Sequence, residues 1–215
     1  SAPGVDVLAA YAGTTISGGG VNTSSGAISL TGTTIDGGGV NSSSGAVTLV
    51  DGSVTNAPGT GINTSTGAIS LTRSLVSGSD SRGINSSSGA ISLVNSTVSG
   101  NDGGIYGGSS TITLDAVTVT LNDVDGEGVG IDTSGGTISM THTIVAGHGQ
   151  DCDVAATTAQ YSMDSDGSCG LAGAATLSNA NPLLGPLANN GGPTLTHLPQ
   201  AGSPALGDVL SGAPT

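Results

Sequence analysis

Asp123, Asp125 and Glu127, at alternate positions in the stretch DVDGEG, are the sharpest grouping of oxygen donors in the chain. Alternate carboxylates with glycine-permitted bends are how compact Ca²⁺ loops begin, because that hard cation gathers several oxygen ligands around itself. The distal bidentate glutamate of a complete EF-hand loop is missing, and Asp-Gly turns such as DSDG at 164–167 form without any metal. Ca²⁺ is therefore the one cofactor the sequence offers, with a plain turn as the rival reading.

Other chemistry finds less support. Lyases need a basic residue to take a proton from carbon, yet Lys is absent and Arg73 and Arg82 stand alone, with no partner visible in the sequence. Glycoside hydrolysis needs two carboxylates a few ångströms apart on one surface. Asp36, Asp51, Asp80 and Asp102 sit near turns, where Asp serves local backbone hydrogen bonds. His142, His148 and His197 are scattered among Gly, Thr and Leu, with no Ser or Asp at helpful spacing. We expect no catalytic residues and no enzyme.

Composition narrows the class. There are 39 Gly, no Phe or Trp and three Tyr, so any core is thin. The net charge of -13 repels nucleic acid and anionic lipid, whose phosphates are held by clustered Lys and Arg. No stretch approaches the roughly 20 apolar residues that span a bilayer, and no basic, apolar targeting segment stands at the start. The chain reads as soluble and already processed. Cys152 and Cys169, flanked by Asp and Gly, suit a disulfide of an oxidising compartment; two buried thiols are the alternative.

The elements that must position all these residues come from a repeat. GVNTSSGAISL (20–30), GVNSSSGAVTL (39–49), GINTSTGAISL (61–71) and GINSSSGAISL (83–93) recur, with weaker copies at 104–114 and 130–140. Apolar residues align in files: Val21, Val40, Ile62, Ile84, Ile105, Ile131; then Ile28, Val47, Ile69, Ile91, Ile112, Ile138; then Leu30, Leu49, Leu71, Leu93, Leu114, Met140. A fourth runs Ile35, Val54, Val76, Val98, Val119, Val145, preceded by Ile16. The steps between successive files are always seven, two and five residues; only the return to the first file varies. A step of two is strand alternation, and runs this short are stable only when stacked. We expect an all-β fold, a right-handed parallel β-helix (β-solenoid) of about seven coils with three short strands each over 1–146, and an irregular C-terminal extension or cap over 147–215. Loops enter at the variable corner.

Asn22, Asn41, Asn63 and Asn85 follow the first file directly, which predicts an asparagine ladder at a corner of the coil; each also begins an N-x-S glycosylation sequon. Around the second and third files the outward residues are Ala, Ser, Thr and Val for four coils, a flat uncharged face suited to lateral packing or, less readily, to ordering water.

The stretches SDGSCG (165–170), NPLLGPLANNGGPTLTH (181–197) and GSPAL (202–206) closely resemble the C-terminal region of bacterial surface proteins of the choice-of-anchor Q type, and NSTVSGN (95–101) is similar to the repeat of polymorphic-outer-membrane-protein-like helices. The resemblance implies an extracellular or bacterial cell-surface location and carries over no catalytic residue. It departs after Leu206, where the family usually continues to an anchor; attachment here is expected to follow anchor removal or assembly. The expected function is that of an extracellular structural protein, self-assembling end to end into a filament or surface layer. The alternatives are an adhesive module binding surface glycans and a vestigial polysaccharide-active enzyme. The segment after the last repeat either folds back along the solenoid or reaches into the next subunit.

Overall fold

The computed structural model describes residues 9–123 and 128–207. β-branched residues alternating with Ser and Thr form most of the strands, which are two to five residues long, and up to residue 164 each strand pairs in parallel with its equivalent one coil on. Sheet 1 has eight strands, from Ala9–Ala12 to Thr158–Gln160; sheet 2 has eight, from Thr15–Ser17 to Met163–Asp164; sheet 3 has seven, from Val21–Thr23 to Gln150–Cys152. Together they stack as an all-β solenoid of about seven turns. The register is the one the intervals require: Ile28, Val47, Ile69, Ile91, Ile112 and Ile138 are successive partners, as are Val21, Val40, Ile62, Ile84, Ile105 and Ile131. These files form the core, almost every member fully buried.

Two corners hold the coil in shape. Two residues beyond the third file, Gly32, Asp51, Arg73, Asn95, Ala116 and His142 all have φ between 48° and 55°, the left-handed turn that swings sheet 1 into sheet 2. Between sheets 3 and 1 a buried hydroxyl closes the turn: Ser42 and Thr133 accept from the N–H groups of Gly45 and Gly136, while Thr64 and Ser86 donate to the carbonyls of Gly67 and Gly89. A Cβ at Gly45, Gly67 or Gly89 would collide with the carbonyl oxygen of the glycine one coil earlier, which is why the repeat keeps glycine there.

The solenoid runs beyond the expected boundary at 146. Cys152 pairs with Ile131, Ala159 with Met140 and Asp164 with Val145. Register survives there although the Ile/Leu pattern that marks the earlier coils is lost. Cys152 and Cys169 are joined by a disulfide inside the core, which decides between the two readings of the pair. Around it the buried Asp164 carboxylate accepts from the N–H groups of Cys169 and Asn179, and the last strands bond onward to Ala174 and Leu177.

The remaining described chain folds back. An antiparallel hairpin, Leu184–Ala188 with Thr196–Pro199, lies along the outward face of sheet 2. Ile144, Ala146, Met163 and Ala205 form a second small apolar cluster beneath it. The hairpin therefore buries outward residues such as Thr97, Ser99 and Thr120, whereas the outward face of sheet 1 stays open.

Candidate functional site

The residue after each first-file position points outward from sheet 3, and the column changes character along the rod. Asn22, Asn41, Asn63 and Asn85 come first; Tyr106 and Asp132 continue it in register, and Asp153, next to Cys152, stands beside Asp132. The asparagines lie within strands rather than at a corner, because the variable turn ends before the first file begins. Their amides bond along the column: Asn41 Nδ2 donates to Asn22 Oδ1 (2.9 Å) and Asn85 Nδ2 to Asn63 Oδ1 (2.6 Å).

At the far end the column meets Arg82. Its guanidinium carbon lies 4.1 Å from the centroid of the Tyr106 ring, and Nη2 lies 3.6 Å from Asp132 Oδ2. Asp153 accepts from the Thr133 N–H at 3.0 Å and is within hydrogen-bond reach of Asp132. Partial burial, and then the charge of Asp153, hold the Asp132 carboxyl above the usual carboxylate range against the opposing pull of Arg82. A surface cleft of about 270 Å³ opens here, lined by Ser81, Arg82, Asp102, Val129 and Asp132 among others. Guanidinium donors beside carboxylate acceptors complement a polyhydroxylated ligand.

Spacing along the chain hid these meetings, because residues 19 to 26 apart are neighbours on adjacent coils and Arg82 reaches Asp132 two coils on. Both arginines have partners. Arg73 Nε and Nη2 donate to the two oxygens of Asp51 at 2.6 and 2.8 Å, and hold the Asp51 carboxyl below its usual range. Asp36 is held low in the same way by Asn56 and Thr55. Each histidine is paired too. His142 stacks on Tyr161 and lies 3.4 Å from Asp115. His197 meets Ser99 across the hairpin interface at 2.7 Å.

His148 ends a buried polar ladder inside the variable corner. Asn101 Nδ2 donates to Asn122 Oδ1 (2.7 Å), Asn122 Nδ2 donates to the Val98 carbonyl (3.0 Å) and approaches His148 Nε2 (3.3 Å), and His148 Nδ1 lies 2.9 Å from Asp151. Asn101, Asn122 and Asp151 are fully buried. The asparagines can be found in the sequence by counting one coil from Ser79, a shift the variable loop lengths obscure.

Of the expected Ca²⁺ ligands, Asp123 accepts from the Gly149 N–H at 2.8 Å, and Asp125 and Glu127 lie outside the described residues. Among the described residues no cluster of three or more His, Cys, Asp or Glu side chains is arranged to hold a metal, and no helix is long and apolar enough to cross a membrane. Comparison of the chain with protein-family models, curated proteins and solved structures gives no match.

Proposed function

We propose that this protein is an extracellular structural module, a stiff rod that works by associating with further copies of itself at a cell surface. One observation carries the reading: the outward face of sheet 1, from strand Ile28–Thr31 to strand Ile91–Val94, has no charged residue and only small side chains, and it is left open while the chain's own hairpin covers sheet 2. Edges and flat faces of this kind favour association with a like surface. The disulfide and the resemblance of residues 181–206 to anchored surface proteins support an extracellular place. Light scattering and negative-stain imaging test it. Association should strengthen as salt screens the -13 charge, and Ser70→Arg should abolish side-by-side contact while leaving end-to-end stacking intact. Protein that stays monomeric at high concentration in both low and high salt refutes the reading.

A second function is favoured by the Arg82, Tyr106, Asp132 and Asp153 constellation beside its cleft, which supports binding of a surface glycan. A glycan array should give hits that Arg82→Ala and Asp132→Ala both remove. Unchanged binding in those variants would exclude this site.

A further inference from the structure

The segment from Asn181 to Leu206, which carries the hairpin across sheet 2, contains no Asp, Glu, Lys or Arg in a chain whose net charge is -13. It also exposes apolar side chains: Leu183, Leu195, Leu198 and Leu206 are between 40% and 57% exposed. Alternation along the strand Thr196–Pro199 turns His197 inward onto Ser99, and so sets Leu198 on the side facing away from sheet 2. The Gln200 N–H donates to the Leu183 carbonyl and the Ser203 hydroxyl to the Pro182 carbonyl, which gathers Leu183, Leu198 and Leu206 at one end of the hairpin. Exposed leucines scattered singly need no explanation, whereas a group of them on one uncharged face marks a contact.

Charge and texture decide what covers this face. Copies that each carry -13 repel one another, so they meet most readily where both surfaces are uncharged. The outward face of sheet 1 from strand Ile28–Thr31 to strand Ile91–Val94 meets that condition, whereas sheet 3 carries Arg82, Asp132 and Asp153. Sheet 1 also has the relief that leucines need: Ala68, Ser70, Ala90 and Ser92 are exposed and short, and Ser70 and Ser92 are register partners on adjacent coils. Sheets pack face to face at about 10 Å when the side chains of one fill the spaces of the other. Two sheet 1 faces, with nothing larger than Val between them, would bury less apolar surface. We propose that the outward side of the hairpin docks on the outward face of sheet 1 of a second copy. This rests on the reading of the protein as a self-associating rod and names the surface that sheet 1 meets. The two surfaces differ, so the contact is heterologous: every pair keeps one free face of each kind, and copies add side by side in a ring or an open row.

The test images the full chain by negative stain at high salt, with circular dichroism to confirm that each variant folds. Ser70→Arg blocks sheet 1 and Leu198→Arg blocks the hairpin, and both side chains are exposed. Each variant alone should lose side-by-side association and give rods one copy wide. An equal mixture of the two should regain association and stop at two copies wide, because one variant supplies an intact hairpin and the other an intact sheet 1. Ser92→Arg and Leu206→Arg take their places if either fails to fold. A mixture that stays one copy wide overturns the docking. So does Leu198→Arg that widens like the wild type while Ser70→Arg stays single; sheet 1 then pairs with itself and the self-associating rod survives. A wild type that never associates removes both.

Discussion

Replacing Asn122 by alanine should be among the most damaging single changes in the molecule. The side chain removed joins three buried groups, the Asn101 backbone N–H, the Val98 carbonyl and His148 Nε2, while Asn101 Nδ2 keeps its bond to the Val76 carbonyl. Leaving a buried donor or acceptor without a partner costs about 1–3 kcal/mol each, an upper sum near 9 kcal/mol. The space vacated by an amide is large enough to admit a water that bonds to several of the stranded groups, which brings the expectation down to about 3–5 kcal/mol. Asn41→Ala is the control, because its amide lies on the half-exposed outer column where water replaces it. Urea titration followed by circular dichroism gives both values, and a double-mutant cycle with Asn101→Ala should show coupling above about 1 kcal/mol. A loss at Asn122 no larger than that at Asn41 would refute the reasoning.

Intact-mass analysis without reductant should find no alkylatable thiol, and reducing the bridge between Cys152 and Cys169, 17 residues apart, should cost about 2–4 kcal/mol of stability. Gly67→Ala should greatly lower the melting temperature, whereas Gly59→Ala, whose Cβ meets nothing within 4 Å, should leave it within a degree or two; equal effects would contradict the close stacking of the glycine corner. Because Arg73 lowers the folded-state pKa of Asp51, their pairing stabilises the protein above the unfolded carboxylate range and is lost as pH falls through the lowered value. Melting curves of wild type and Arg73→Ala should therefore differ at pH 7 and converge near pH 2; a gap that persists in acid would mean the arginine acts through packing instead.

The solenoid was legible in the sequence because its signal is local and repeated: constant steps of seven, two and five residues leave one register for Ile28, Val47, Ile69 and their successors. The disulfide could be foreseen, though not decided, from two cysteines in a polar setting. Contacts between coils were hidden, because Arg73 finds Asp51 and Arg82 finds Tyr106 only after the variable loops set the length of each turn. The left-handed corner left a faint trace in Gly32, Asp51 and Asn95, residue types that tolerate such a backbone, yet Ala116 and His142 occupy it equally and give no hint. The path of the hairpin was open in the sequence, since nothing local in its Pro- and Leu-rich stretch says which sheet it will cover. Ser99 and His197 became visible only with that path.

The hairpin also alters how the rod comes apart. A stack whose coils touch only their neighbours melts piecemeal, fraying inward from its ends as each interface lets go in turn. Here Pro193 and Leu195 border Thr34 and Ser53 near one end, His197 holds the middle, and Leu184 joins the apolar cluster of Ile144 and Met163 near the other. The strap thus spans most of the stack, and a coil beneath it cannot unwind without shedding contacts that several distant coils share. A chain built as a one-dimensional array should then unfold as one cooperative unit, as a compact domain does.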